Sequence, residues 1–212
     1  MTLTTADYLD TVDGTWPAAH YHHLGPWTLR EGQGGGSRVS SATANGAVTE
    51  ADIDRAEAAM LAMGQRRQFM IRPGDTDLDQ MLEQRGYQVL DPVNMYACPV
   101  GLLTDIPLPR VSVFTIWEPL EIMREIWAAG SIGPARLAVM ARAHGPRTGL
   151  LARHNDKPAG TAFAAIHQGI AMVHAVEILP HQRRAGMGRW IMRAAAIWAS
   201  VSSRLTKTCC SC

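Results

Sequence analysis

Three runs of alternating hydrophobic and polar residues dominate the second half of the chain, at residues 148–153, 159–167 and 170–179. Alternation with a period of two is typical of β-strands that bury one face. The connections between the runs are short and rich in turn residues, at 154–158 and 168–169. Because strands joined by such turns pair antiparallel, the pattern predicts a three-stranded meander.

Apolar residues recur at helical spacing on both sides of this meander. Before it, a strand predicted at residues 111–116 is followed by two helices, one after Pro119 and one that begins at Pro134. After it, a helix begins at residues 186–188. One face of that last helix is apolar, and it consists of Met187, Trp190, Ile191, Ala194, Ala195 and Trp198.

The first half of the chain alternates strands and helices in the same way. Two short runs, at residues 27–30 and 38–44, flank a glycine-rich stretch and favour a β-hairpin. A helix start signal at Thr49 precedes apolar residues at helical spacing up to Gly64. The other predicted elements are a strand at 67–72, a helix that contains Leu78, Met81 and Leu82, and a strand at 88–96.

Residues 101–110 interrupt this pattern with two prolines, no periodicity and little charge. Such composition is typical of a linker between compact units. We therefore predict an N-terminal lobe at residues 1–100 and a C-terminal domain at residues 111–212. Since strands and helices are mixed in both, the predicted class is α/β.

The overall charge and hydropathy exclude several classes of partner. The 212 residues include 20 Lys and Arg against 19 Asp and Glu, so no single-sign field favours nucleic acid or anionic lipid. No stretch approaches the roughly 18 apolar residues that span a bilayer, and the N-terminus lacks a basic and apolar leader. We therefore expect a soluble, cytoplasmic protein that binds neither nucleic acid nor membrane.

Neither the cysteines nor the histidines predict a metal site. Of the four cysteines, Cys98 is isolated, and Cys209, Cys210 and Cys212 crowd the end of the chain. That arrangement is neither a disulfide framework nor a zinc pattern. His20, His22 and His23 have no acidic or cysteine partner at ligand spacing, so we expect them in a solvated loop with no metal.

The segment Arg183-Arg184-Ala185-Gly186-Met187-Gly188 follows a predicted strand and opens the last helix. A first helical turn leaves about four backbone N–H groups without intrahelical partners and carries a partial positive charge, so it favours anions. Gly186 and Gly188 have no Cβ atoms to hold an anion away, and Arg183, Arg184 and Arg189 can add charged hydrogen bonds. The segment therefore predicts a diphosphate site.

These residues resemble the signature of the GNAT superfamily of acetyl-CoA-dependent N-acetyltransferases, which is Gln/Arg-x-x-Gly-x-Gly/Ala after a strand. The resemblance implies acetyl-CoA as cosubstrate, with its pantetheine arm on the backbone of Val176 and Ile178. It places the diphosphate on Arg183, Arg184, Ala185, Gly186, Met187, Gly188 and Arg189. It also implies a GNAT-like α/β fold with a mixed, mostly antiparallel sheet flanked by helices. The N-terminal lobe looks like a degenerate copy of the family's later half.

The activity implied by the resemblance is transfer of the acetyl group to a primary amine by direct attack in a ternary complex. The acceptor would be a small molecule or a peptide, and a homodimer is compatible with the pattern. A complete domain of this family continues past the loop helix, whereas only residues 200–212 remain here. We expect these residues to add one short strand at most and interpret them as a truncated or frameshifted end. The alternative function is a non-catalytic acyl-CoA-binding or regulatory remnant.

Acetyl transfer needs a group that removes a proton from the amine, and Glu177 is our candidate for this general base. His174 lies on the same predicted strand and is the weaker candidate, since a single strand histidine more often forms hydrogen bonds within a core. Regular alternation places His174 and Glu177 on opposite faces of the strand, so we expect them not to share a site.

Overall fold

A computed structural model describes the backbone of residues 3–208 and the side chains of residues 3–202. It divides into two compact units. The first comprises residues 3–9 and 17–95, and the second comprises residues 10–16 and 96–208. Helix α1 (Thr5–Thr15), which the hydrophobic pattern did not predict, therefore contributes its second half to the second unit.

The first unit contains a three-stranded antiparallel sheet in the order β1 (His20–Leu24), β2 (Trp27–Glu31) and β3 (Thr43–Ala44). The predicted hairpin forms only in part, since β2 pairs with β3 through Trp27 and Thr28 alone. Along its whole length β2 pairs with β1, which was not predicted. Residues Ser37–Val39 form a 3-10 turn, so only Thr43 and Ala44 reach β2. The histidines predicted in a loop lie on β1, whose side chains are mostly exposed.

Helix α2 (Glu50–Ala62) begins where Thr49 predicted it. The Thr49 hydroxyl accepts from the Asp52 N–H, and the Asp52 carboxylate accepts from the Thr49 N–H, which together form a capping box. Helix α3 (Thr76–Gln84) follows, and Leu78 and Leu82 pack with Trp27, Leu29, Ile53 and Met60 in one core. Both predicted helices of this half are confirmed.

The two further strands predicted in the first half are wrong. Residues 67–72 contribute only one parallel bridge, between Phe69 and Ala42. Residues 88–96 form no strand, and Val89, Leu90 and Val93 are exposed. A short apolar run without a partner strand does not bury its side chains, and periodicity alone does not show whether a partner exists.

The second unit is built on a four-stranded antiparallel sheet in the order β4 (Val113–Ile116), β5 (Arg147–His154), β6 (Lys157–His167) and β7 (Ile170–Ile178). The predicted meander is therefore confirmed. Helices α4 (Glu121–Ala129) and α5 (Pro134–Arg142) lie between β4 and β5 in the chain, and α6 (Met187–Thr208) follows β7. Antiparallel sheets flanked by helices confirm the predicted α/β class.

The two faces of this sheet are covered by different helices. On one face, Ala162 and Ala164 of β6 and Val173 of β7 pack against Ile191 and Ala195 of α6. The intervening residues of β6 point to the opposite face, where Met123 and Trp127 of α4 are fully buried. The site described below therefore has α6 on one side and α4 on the other.

Residues 101–110, predicted as a linker, group with the second unit. Arg193 of α6 donates to the Leu103 carbonyl oxygen at 3.4 Å and to Asp105 Oδ1 at 2.6 Å. The domain boundaries at these residues stay a prediction. Residues 200–208, expected to supply one short strand at most, instead continue α6, and Cys209, Cys210 and Cys212 lie outside the described residues.

Candidate acyl-CoA site

The loop between β7 and α6 contains two residues with positive φ angles, one of which is a glycine. Pro180–Gln182 form a 3-10 turn, and Arg184 and Gly186 then adopt positive φ angles of 66° and 79°. A Cβ atom on Gly188 would meet no atom within 4 Å, so packing within the chain does not require glycine there. The space above Gly188 is therefore open to a ligand.

The first turn of α6 presents backbone donors toward this open space. The Trp190 N–H donates to the Gly186 carbonyl oxygen at 3.3 Å. The N–H groups of Met187, Gly188 and Arg189 have no acceptor among the residues that the structure describes. Met187 is buried in the α6 core, and this anchors the turn. The result is a fixed set of donors at the positive end of a helix.

Three arginines surround this turn in different environments. Arg183 is half-exposed and points back to β7, as described below. Arg184 is exposed at the left-handed position of the loop. The Arg189 guanidinium lies 4.6 Å from the ring centroid of Trp190, in a cation–π contact. All the residues predicted for the diphosphate therefore lie in one continuous turn.

Strand β7 is an edge of the described sheet, and its outer side leaves backbone groups unpaired with any strand. The Leu179 N–H donates to the Ala159 carbonyl oxygen, so the backbone groups of residues 177 and 179 face β6. By alternation, those of Val176 and Ile178 point outward. The predicted pantetheine contacts thus lie on the open edge, beside the loop.

The predicted separation of His174 and Glu177 on opposite faces is wrong. His174 pairs with Phe163 and Glu177 pairs with Thr161, which are two residues apart on β6 and share a face. A β-bulge between these pairs, with Ala175 at a φ of 50°, inserts the extra residue that reverses the alternation. The Ala175 carbonyl oxygen accepts from Trp127 Nε1 at 2.8 Å, which fixes the bulge to α4.

The carboxylate of Glu177 is mostly covered, with 18% of the side chain exposed. Its Oε1 accepts from Arg183 Nη2 at 3.2 Å, while Arg183 Nε donates to the Ile178 carbonyl oxygen at 3.0 Å. The other oxygen lies where a Cβ atom on Gly130 would be, so Gly130 at the end of α4 leaves room for this carboxylate. Arg183 therefore joins Glu177 directly to the loop predicted to bind the diphosphate.

His174 is buried and belongs to an aromatic cluster. Its ring stacks on Trp16 at 5.0 Å and lies 6.3 Å from Phe163. Its Nε2 is 2.8 Å from Thr15 Oγ1, and the Thr15 hydroxyl donates to the Thr11 carbonyl oxygen. Because that hydroxyl has a single hydrogen, it accepts from His174, and the hydrogen of His174 is on Nε2. His174 thus serves packing within the core.

Several residues that shape the site had no recognisable signal in the sequence. Thr161 faces Glu177 only because of the strand register, and Thr15 and Trp16 reach His174 over a separation of more than 150 residues. Gly130 is one of 19 glycines in the chain, and nothing in the pattern distinguishes it. A strand prediction with an explicit partner register would have identified Thr161.

A groove of about 480 Å³ lies between α4 and α5. Its polar lining consists of Glu121, Arg124 and Glu125, and its apolar lining includes Ile132 and Leu137. The α4–α5 connection that lines it also contains Gly130, which touches Glu177. Within the described part of the chain, no group of three or more metal-ligating side chains occurs, and no helix there is long and apolar enough to cross a membrane.

No protein-family model matches the chain, and no curated protein matches it at a significant level. Solved structures do share its fold. A GCN5-related N-acetyltransferase from Kribbella flavida matches with a TM-score of 0.69 and 19% identity, over 95% of this chain and 83% of that chain. A functionally unknown conserved protein from Staphylococcus epidermidis ATCC 12228 matches with a TM-score of 0.60 and 12% identity, over 93% of this chain and 84% of that chain. The predicted GNAT-like fold is confirmed.

Proposed function

We propose that this protein is an N-acetyltransferase that moves the acetyl group of acetyl-CoA to a primary amine. The observation that carries the proposal is the turn at residues 183–189, which presents unpaired N–H groups and arginines beside an open strand edge. The fold around this turn is shared with a GCN5-related N-acetyltransferase. The acceptor would be a small molecule or a peptide.

The diphosphate would occupy the first turn of α6. The N–H groups of Met187, Gly188 and Arg189 would donate to its oxygens, and Arg183, Arg184 and Arg189 would supply positive charge. The pantetheine arm carries amides, and these would pair with the outward backbone groups of Val176 and with the Ile178 N–H as an added strand does. The Ile178 carbonyl oxygen already accepts from Arg183 Nε. The open space above Gly188 and the free edge of β7 support this placement.

The acetyl transfer itself requires little covalent chemistry from the protein. The amine nitrogen attacks the thioester carbonyl carbon, the carbon–sulfur bond breaks, and the electron pair leaves on the CoA sulfur. Glu177 would take the proton that the amine loses, because its carboxylate lies on β7 beside the open edge.

One observation favours the alternative of a non-catalytic acyl-CoA-binding or regulatory protein. The Glu177 carboxylate is held in an ion pair by Arg183, and His174 is buried in the aromatic cluster. In this arrangement neither residue presents a free base to an acceptor. The two candidate functions share the cofactor site and differ only in turnover.

Calorimetry with acetyl-CoA and an assay of CoA thiol release with a panel of primary amines test both candidates on the full chain. Saturable binding with thiol release that depends on one class of amine is the expected result. Binding without thiol release on any amine would favour the non-catalytic alternative. Absence of binding by a cooperatively folded chain would overturn the acyl-CoA site and with it both candidates.

A further inference from the structure

The hydroxyl of Thr161 is buried and has no hydrogen-bond partner among the described residues. Buried polar groups without partners are rare and require an explanation. Thr161 lies directly opposite Glu177 on the neighbouring strand, and the two side chains share the α4 face of the sheet. Cross-strand neighbours have Cβ atoms about 5 Å apart, so a rotation of Glu177 would bring its carboxylate within reach of the hydroxyl.

In the structure the Glu177 carboxylate is paired with Arg183 and forms no hydrogen bond with the Thr161 hydroxyl. Arg183 Nη2 donates to Glu177 Oε1, and the Arg183 side chain is 58% exposed at the entrance of the loop that would receive the diphosphate. A diphosphate carries more negative charge than a carboxylate and would attract the same guanidinium. It would also repel the Glu177 carboxylate, because like charges at close range are unfavourable.

We propose that Arg183 exchanges its partner, from Glu177 to the diphosphate, when acetyl-CoA binds. This proposal rests on the proposed function. The Arg183 guanidinium leaves Glu177 for the diphosphate, and the Thr161 hydroxyl then donates to the released carboxylate and holds it in position. Thr161 is thus a positioning residue for the general base. The exchange makes Glu177 available only when the acyl donor is bound, which couples cofactor binding to proton removal.

The exchange predicts a specific coupling between Glu177 and Arg183 in acetyl-CoA binding. Glu177→Gln removes the competing charge and keeps the size, so the dissociation constant for acetyl-CoA should fall about fivefold. In an Arg183→Ala background, the same substitution should change the dissociation constant less than about twofold. Calorimetry on the four chains measures this cycle, and a thermal melt of each shows that it is folded.

An equal effect of Glu177→Gln in both backgrounds would show general repulsion of the ligand rather than exchange, and would overturn the proposal. No effect in either background would do the same. If the unsubstituted chain does not bind acetyl-CoA, the proposed function falls together with the exchange. If it binds and the cycle shows no coupling, only the exchange falls.

The role of Thr161 is tested with a matched pair of substitutions. Thr161→Val keeps the shape and removes the hydroxyl, whereas Thr161→Ser keeps the hydroxyl. Because the hydroxyl stabilises the exchanged state, Thr161→Val should raise the dissociation constant for acetyl-CoA about threefold, and Thr161→Ser should leave it near the original value. With an active chain, Thr161→Val should also shift the pH profile of kcat. Equal changes in both variants, accompanied by equal losses in melting temperature, would indicate a purely structural role and overturn this assignment.

Discussion

At the scale of single residues, two glycines of the loop have different physical requirements. Gly186 adopts a φ of 79°, a conformation that is strained for a residue with a Cβ atom. Gly188 lies in the first turn of α6, and a Cβ atom there would contact nothing in the chain. The backbone conformation therefore explains glycine at 186. Nothing within the chain requires glycine at 188, which is consistent with the proposed diphosphate site.

Gly188→Ala should weaken acetyl-CoA binding without weakening the fold. The added methyl group would hold the diphosphate away from the helix N–H groups, so we expect affinity to fall about tenfold or more. The free energy of unfolding should be unchanged or rise by up to about 1 kcal/mol, since alanine favours a helix over glycine. Calorimetry and chemical denaturation measure the two quantities. Gly186→Ala is the control, since it should lower both, and unchanged affinity in Gly188→Ala would contradict the site.

Trp127 fixes the β-bulge by a single hydrogen bond from its indole to the Ala175 carbonyl oxygen. Trp127→Phe removes the donor and part of the ring volume at a fully buried position. We expect the free energy of unfolding to fall by about 2–4 kcal/mol, from the lost packing and the unpaired carbonyl. Chemical denaturation followed by far-UV circular dichroism measures it. A loss below about 0.5 kcal/mol would mean that the bulge does not depend on this bond.

At the scale of elements, the start of α2 provides a dependence of stability on pH. The Thr49 hydroxyl and N–H both donate to the Asp52 carboxylate, with a further contribution from Arg55, and together they lower its pKa below the ordinary value of 3.8. A carboxyl whose pKa is lower in the folded state stabilises the fold once it is ionised. This contribution is complete above the unfolded pKa and is lost as the pH falls through the folded pKa.

Asp52→Asn should therefore make the stability of the first unit less dependent on pH below about pH 4. The neutral amide cannot gain or lose the proton, and it is a weaker acceptor for the Thr49 donors. Urea denaturation at a series of pH values from neutral to acidic measures the effect. Asp79→Asn, at an exposed position of α3, is a suitable control. If the free energy of unfolding changed with pH in the same way in the original chain and in Asp52→Asn, this carboxylate would contribute nothing to the pH dependence of stability.

The elements that the sequence predicted correctly are those whose signals lie close together in the chain. The helix at Glu50–Ala62 has its start signal in Thr49 and Asp52, three residues apart, and the meander of β5 to β7 has its turns within the pattern. Strand β1 escaped prediction because its exposed histidines show no apolar alternation, and residues 88–96 alternate without a partner strand.

The same distinction applies to the site. The turn at residues 183–189 could be predicted as a diphosphate site because its glycines and arginines lie next to one another in the chain. The shared face of His174 and Glu177 depends on one inserted residue in β7, and the approach of Thr15 to His174 depends on tertiary packing. Both features depend on strand pairing and packing with residues distant in the sequence. A periodic pattern of apolar residues does not show which distant residues will be the partners.

At the scale of the whole molecule, the two compact units have separate cores. The core of the first unit is centred on Trp27, Ile53 and Met60, and that of the second includes Leu150, Ala162 and Ile191. Residues 10–16 belong to the second unit although they lie in the chain between the two segments of the first unit. The second unit is therefore completed by a segment that is distant from the rest of it in sequence.

Trp16→Ala tests this assignment, because Trp16 stacks on His174 and meets Phe163 edge-on at 6.1 Å. Removing its ring should lower the free energy of unfolding of the second unit by about 3–5 kcal/mol. Hydrogen exchange followed by mass spectrometry should then show faster exchange in β5, β6 and β7.

The matched variant is Trp27→Ala, which removes a fully buried ring from the core of the first unit. Its faster exchange should be concentrated in α2 and in β1 to β3, because these elements surround Trp27 in its core. If Trp16→Ala accelerated exchange in α2 and α3 as much as in β5 to β7, residues 10–16 would stabilise both units alike. The assignment of residues 10–16 to the second unit alone would then be wrong. A segment that packs in only one core should, when it is substituted, speed exchange only in the strands of that core.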